Sequence, residues 1–213
     1  NMHKVYDNWP EIAKEYFSKT FSKIEIRDID HIVFAGMGGS GAIGDVFSSI
    51  LSKTDMHVSI VKGYELPKTV DKNTVIVTTS ISGNTTETLS ILDSAEKTNG
   101  KVIALSSGGQ MEEFSKKKKM DFYKIKKEHS PRASFLGFLY ALLNVLEDIV
   151  PVKKEDIKVV DAPNNPQVGE IVVEIWPHEI VIARIRTIRG ESFISGTEFT
   201  LELKSDEQGT YIE

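Results

Sequence analysis

Cysteine is absent from the 213 residues, and its absence excludes a disulfide framework, a thiolate-bound zinc or iron-sulfur site, and a cysteine nucleophile. Excess positive charge is missing too: 26 Lys and Arg stand against 31 Asp and Glu, a net charge of -5 at pH 7. Duplex nucleic acid is held by clustered cations that neutralise its phosphates, so nucleic acid is not an expected partner. No stretch reaches the roughly 18 consecutive apolar residues that a membrane helix needs. The opening segment, Asn1 to Pro10, shows no basic region followed by an apolar run. These absences predict a soluble, cytoplasmic protein. The spacing of His and acidic residues suggests no metal site.

What is present is an ordinary globular composition, 40% hydrophobic and 27% charged, in a chain long enough for one complete domain and an appendage. Asp7-Asn8-Trp9-Pro10-Glu11 reads as a helix start leading into Ile12 to Phe17. Apolar, β-branched runs then alternate with helix-period stretches. Strands are expected at His31 to Ala35, His57 to Val61, Thr74 to Thr79, Lys101 to Leu105 and Asp121 to Ile125. Helices are expected at Gly41 to Ser52, Thr85 to Thr98, Gln110 to Lys118 and Ser134 to Ile149.

That alternation demands crossover connections and a parallel sheet, so the fold class is α/β, a doubly wound parallel five-stranded sheet. In the last helix, Phe135, Leu136, Phe138, Leu139, Tyr140, Leu142, Leu143, Val145 and Leu146 surround the axis almost completely. A helix apolar on every side is covered on two, and a second lobe or subunit is the expected cover, which makes a homodimer the expected assembly. Three prolines and a run of charges mark 151–167 as a linker. Beyond it, Glu170 to Trp176, Glu179 to Ile188, Thr197 to Leu203 and Thr210 to Ile212 read as strands. Residues 168–213 are therefore expected to form a small C-terminal antiparallel β appendage.

In an open parallel sheet, ligands bind beyond the carboxyl ends of the strands where the strand order reverses. Two strand-end segments stand out there. Gly36-Met37-Gly38-Gly39-Ser40-Gly41 follows a strand and opens a helix, so its backbone N–H groups and the helix dipole suit an anion. Gly36, Gly38 and Gly41 also satisfy a dinucleotide fingerprint. That reading wants an acid at the end of the second strand, where Lys62-Gly63-Tyr64 stands instead; Asp55 precedes the strand and Glu65 is the nearest acid after it.

The second segment, Ser80-Ile81-Ser82-Gly83-Asn84-Thr85-Thr86-Glu87-Thr88, offers the hydroxyls of Ser80, Ser82 and Thr85 at another helix start. Hydroxyls and free amides converging on one point suit a phosphate monoester. The plainer alternative makes Ser82 or Asn84 an N-cap, with Glu87 completing a capping box. Neither segment carries the lysine of a nucleotide-binding P-loop, which disfavours ATP and GTP.

These two segments, followed by Ser130-Pro131-Arg132-Ala133 ahead of an apolar helix, resemble the N-terminal SIS (sugar isomerase) lobe of bifunctional phosphoglucose/phosphomannose isomerases over about residues 1–150. The resemblance implies a flavodoxin-like SIS domain and a cofactor-free interconversion of glucose 6-phosphate or mannose 6-phosphate with fructose 6-phosphate through an enediolate. It further implies that Ser40, Ser80, Ser82 and Thr85 hold the sugar phosphate, that Gly39 supplies backbone, and that Arg132 is the catalytic group beside the enediolate. A fixed guanidinium near the developing charge suits that role. The alternative is a surface arginine ahead of a helix.

The family's second lobe supplies a glutamate base, a ring-opening histidine and a terminal lysine, none of which can be matched here. His178 with Glu179, and His129 near Pro131-Arg132, are the candidates to stand in, each against a structural role. A non-catalytic sugar-phosphate-binding module, with its β appendage serving assembly or regulation, is the competing function. Lys116 to Lys119 with Lys124, Lys126 and Lys127 read as a solvated helix face and strand edge.

Overall fold

The computed structural model describes residues 9–24, 27–52, 54–131 and 133–152, together with the backbone of five later strands. In chain order the elements are α1 (Trp9–Ser18), β1 (His31–Gly36), α2 (Gly38–Leu51), β2 (His57–Val61), β3 (Thr74–Ser80), α3 (Thr86–Glu96), β4 (Lys101–Ser106), α4 (Gly109–Lys118), β5 (Asp121–Lys124) and α5 (Phe135–Val145). The first sheet has five strands in the order β2-β1-β3-β4-β5, and every neighbouring pair runs parallel. The expected doubly wound α/β fold is therefore what this stretch forms.

β1 and β3 are buried along their whole length, as strands covered on both faces must be, which is why they read as unbroken apolar runs. On one face Ile32, Phe34, Val75, Val77, Ile103 and Leu105 pack against α1, α2 and α5. On the other, Val33, Ala35, Ile76, Val102 and Ala104 pack against Ile91, Leu92 and Ala95 of α3 and Met111 of α4. The connection from β2 to β3 carries no helix among the described residues; Leu66 and Val70 cover the second face in its place.

α5 is buried at every position except Asn144, yet its cover is neither a second lobe nor a subunit. α1 lies on it: Trp9 stacks on Phe135 with centroids 6.4 Å apart, and Phe17 meets Tyr140 edge-on at 6.5 Å. Asn144 accepts a hydrogen bond from the Phe21 amide at 2.9 Å. The all-round apolar pattern is thus answered within the chain, and it gives no ground for the homodimer.

The expected linker, 151–167, contains strand β6 (Ile157–Asp161). It leads a second sheet with β7 (Val168–Ile175), β8 (Val181–Ile188), β9 (Leu203–Asp206) and β10 (Gly209–Ile212), in the order β6-β7-β8-β10-β9. Its neighbours are antiparallel, except that β10 runs parallel to β8. Most of the expected strand Thr197 to Leu203 lies outside the described residues, as do Arg132, His178 and Glu179.

At the amino ends of the strands His31 faces His57, with ring centroids 4.6 Å apart. Its Nε2 lies 2.9 Å from Ser59 Oγ and its Nδ1 3.3 Å from Thr74 Oγ1. Burial, and then repulsion from His57, holds the pKa of His31 below its ordinary 6.5. The unfolded chain therefore takes up this proton more readily than the folded one. Stability from neutral His31 is fully present above pH 6.5 and is lost as the pH falls through the depressed folded value. Thermal denaturation should show a melting temperature that declines between about pH 7 and pH 5, with a shallower decline for His31→Gln. Equal slopes in the two proteins would discount His31.

The lysine-rich stretch is solvated, as expected, and several of its lysines are paired. Lys116 and Lys124 meet Glu112 at 2.7 and 3.0 Å, and Lys118 meets Glu96 at 2.9 Å. The two lysines hold the Glu112 carboxyl below its ordinary range. These exposed pairs contribute little to stability.

Candidate functional site

With the order β2-β1-β3-β4-β5 the connections reverse direction between β1 and β3. A crevice therefore opens beyond the carboxyl ends of those two strands, where Gly36 pairs with Thr79. The two segments singled out in the sequence are the ones placed there, and they touch. Ser40 Oγ accepts the Ile81 amide at 3.3 Å. The Thr79 hydroxyl reaches the Ser40 carbonyl at 2.9 Å and the Ala35 carbonyl at 3.3 Å. Both Ser40 and Thr79 are buried.

The first segment is helix rather than loop from Gly38 onward, three residues earlier than expected. Met37 stands at the N-cap with extended backbone and no side-chain capping bond, while the Ser40 and Gly41 amides bond back to its carbonyl. Gly38 and Gly39 precede these first intrahelical bonds, so their N–H groups are the ones a helix start leaves for an anion. Gly39, to which the family resemblance assigns a backbone role, lies in this first turn.

The second segment departs from the capping-box alternative. Thr85, not Ser82 or Asn84, occupies the N-cap of α3, and its side chain makes no cap bond. Thr85 Oγ1 instead lies 2.8 Å from Ser80 Oγ, which in turn lies 3.4 Å from Ser82 Oγ. Ser80 Oγ is filled by its three partners, Thr85 Oγ1, Ser82 Oγ and the Gly83 amide, whereas the Thr85 and Ser82 hydroxyls keep capacity to turn toward a guest. Ser80 is buried at the end of β3, Thr85 is half-buried and Ser82 is exposed, so the cluster grades outward to solvent. Gly83 supports this shape with a φ of 67°, and its amide reaches both the carbonyl and the hydroxyl of Ser80, at 3.1 and 3.2 Å.

A third strand end, 106–110, escaped notice in the sequence although it braces the second. The Ser107 hydroxyl donates to the Ile81 carbonyl at 2.5 Å, the Met111 amide donates to the Gly83 carbonyl at 2.9 Å, and the Gln110 amide donates to Asn84 Oδ1 at 3.0 Å. Ser106 and Gly108 complete the brace through a bond of 2.7 Å from the serine hydroxyl to the glycine carbonyl. The available signal was Ser106-Ser107-Gly108-Gly109 directly after a strand and ahead of a helix. Asn84, weighed as a cap, is therefore a strut to the neighbouring loop.

Lys62 stands at the carboxyl end of β2, 3.0 Å from Asp45 Oδ2, at the point where a dinucleotide fold needs an acid for the ribose. That position argues against the dinucleotide reading. Of the Ser130-Pro131-Arg132-Ala133 motif, the residues flanking Arg132 are described: Ala133 is buried and Pro131 exposed, and the Ala133 amide donates to Ser130 Oγ at 3.2 Å. His129 is exposed on the same connection between β5 and α5. Among the described residues no group of three His, Asp or Glu is disposed to hold a metal ion, and no helix is long and apolar enough to cross a membrane.

The fold, the reversal point and the two hydroxyl-bearing strand ends define a doubly wound α/β domain with a polar crevice at its switch point. The SIS domain family model matches residues 25–147, more than half of the chain, and the chain belongs to that family. It is 34% identical over 165 residues to the bifunctional phosphoglucose/phosphomannose isomerase of Caldicellulosiruptor bescii, covering 73% of this chain and 48% of that protein. It is 38% identical over 128 residues to the enzyme of the same name from Thermoplasma acidophilum, covering 60% and 38%. The chain thus spans half or less of the length of these relatives, as an N-terminal lobe would. The C-terminal domain of glucosamine-fructose-6-phosphate aminotransferase from Francisella tularensis shares the fold, with a TM-score of 0.53 at 16% identity over 68% of this chain and 47% of that one.

Proposed function

We propose that this chain is the phosphate-holding lobe of an aldose-ketose isomerase that interconverts glucose 6-phosphate or mannose 6-phosphate with fructose 6-phosphate. The observation that carries the reading is the cluster of Ser80, Ser82 and Thr85 hydroxyls, spaced 2.8 and 3.4 Å apart at the uncapped start of α3, with Ser40 across from it. A phosphate dianion accepts hydrogen bonds at every oxygen, so hydroxyls and helix-start amides serve it without a lysine. Gripping the phosphate fixes the sugar at a point remote from the reacting carbons, which lets binding energy orient C1 and C2.

The reaction moves a proton between C2 and C1 while the carbonyl shifts the other way, through an enediolate. Arg132 is assigned to that charge, since a guanidinium held there stabilises the intermediate more than the substrate. The base that carries the proton must lie within hydrogen-bonding reach of both carbons. The partial span of the named relatives favours placing that base on another part of the assembly. It also supports a second reading, a lobe that binds sugar phosphate without turning it over. A reducing cytoplasm suits a chain without cysteine.

Calorimetry with fructose 6-phosphate tests the site. Ser82→Ala removes one charge-assisted hydrogen bond and should weaken binding about tenfold. Unchanged affinity would reject the phosphate assignment. A coupled assay of the purified chain then separates the readings, because measurable glucose 6-phosphate formation requires a base within the protein as tested.

A further inference from the structure

The segment between β5 and α5, residues 126–134, carries Arg132, and both of its ends are tied to α1, a helix outside the matched residues 25–147. At one end the Lys126 amide donates to Tyr16 Oη at 2.8 Å. At the other the indole N–H of Trp9 donates to the carbonyl of Ala133 at 3.1 Å, one peptide beyond Arg132. Both rings are 2% exposed; the Trp9 bond is buried and the Tyr16 bond part-buried, so water competes least for the first. Burial pushes the Tyr16 phenol up to about 12, and it therefore stays neutral at physiological pH.

The space for the tyrosine is specifically kept. A Cβ on Gly137 of α5 would lie 2.9 Å from Tyr16 Cζ and Oη and 2.8 Å from Ile125 Cγ2, so only glycine lets the ring reach past α5 to the Lys126 amide. Within the segment, Ser134 Oγ accepts the Glu128 amide at 3.0 Å and donates to the Ser130 carbonyl at 3.0 Å. The segment is thus closed on itself and pinned at both ends. An oxyanion-stabilising group is effective only when its position is fixed before the charge develops.

We propose that Trp9 and Tyr16 are positioning residues, whose bonds to Ala133 and Lys126 fix the backbone on either side of Arg132. The proposal rests on the isomerase reading for what Arg132 does. Trp9→Phe and Tyr16→Phe each keep an aromatic ring in the core and delete one tie.

Two measurements on the intact chain test the idea. Amide hydrogen exchange should quicken at least tenfold at Lys126 in Tyr16→Phe, and across 130–134 in Trp9→Phe, with protection kept in β1 and β3. Calorimetry should then compare inorganic phosphate, which engages only the Ser40 and Ser80–Thr85 hydroxyls, with 5-phosphoarabinonate, whose carboxylate mimics the enediolate. Each variant should lose at least fivefold affinity for the arabinonate and none for phosphate. Exchange unchanged in both variants, or an equal loss for the two ligands, would overturn the positioning role. If the unmodified chain binds neither ligand, the isomerase reading fails, and the exchange measurement alone decides whether α1 braces the segment. A variant that does not fold leaves the other to decide, since each tie is read separately.

Discussion

Gly83→Ala is expected to abolish detectable fructose 6-phosphate binding and to destabilise the domain by about 2–4 kcal/mol. Two penalties combine. The residue holds φ at 67°, a region that costs an L-residue on the order of 1–2 kcal/mol. A Cβ there would also overlap the carbonyl of Gly108 and sit 3.1 Å from Ser106 Oγ. Neither neighbour can yield cheaply, because that carbonyl accepts the Ser106 hydroxyl at 2.7 Å and belongs to the brace on the second strand end. The backbone must move instead, and with it the amide that meets Ser80. Thermal melting would give the stability loss, and calorimetry well below the melting transition would read binding in the folded fraction. A folded variant that binds fructose 6-phosphate as tightly as the unmodified chain would show that the Ser80–Thr85 geometry is not the site.

The sequence was most informative where burial on both faces leaves no choice of residue. β1 and β3 appear as apolar runs because helices cover both of their faces, and their polar strand ends stand out by contrast. It was least informative where glycine carries the structure. The first turn of α2 is built from Gly38, Gly39, Ser40 and Gly41, which have poor helix propensity and read as loop, yet a helix start that must admit an anion favours them. The brace at 106–110 was hidden for a related reason: Gly108 and Gly109 take φ values of 145° and 70°, and their role lies in contacts with Gly83 and Asn84, more than 20 residues away in the chain. The pattern of α5 showed correctly that two sides must be covered. Periodicity does not say by what, and α1, over a hundred residues earlier, supplies the cover. In the candidate site Ser80, Ser82 and Thr85 were legible as hydroxyls after a strand, and Ser40 only through the family resemblance; that Ser40 ties one segment to the other was not legible, because its side chain accepts from a distant amide.

The glycine pattern that matches a dinucleotide fingerprint serves packing at its first and third positions, and Gly36→Ala exposes it. In a dinucleotide site the second glycine admits the pyrophosphate; at Gly36 the close neighbours belong to the protein. A Cβ would strike Thr79 Oγ1 and would lie 3.0 Å from the Thr79 carbonyl and 3.1 Å from the Ser40 carbonyl. At Gly41 it would lie 2.6 Å from the Gly36 carbonyl, and at Gly44 2.9 Å from Phe34 Cβ. These glycines let β1, β3 and the start of α2 approach closely enough for Thr79 to bond Ser40 and for Ser40 to bond Ile81. Gly36→Ala should therefore cost about 1–3 kcal/mol by overpacking and part the two strand ends, with at least a tenfold loss of fructose 6-phosphate affinity. Thermal melting and calorimetry read the two effects. If stability fell while affinity held, the contact between the segments would be packing alone, and the anion would be held by the Ser80–Thr85 turn without help from α2.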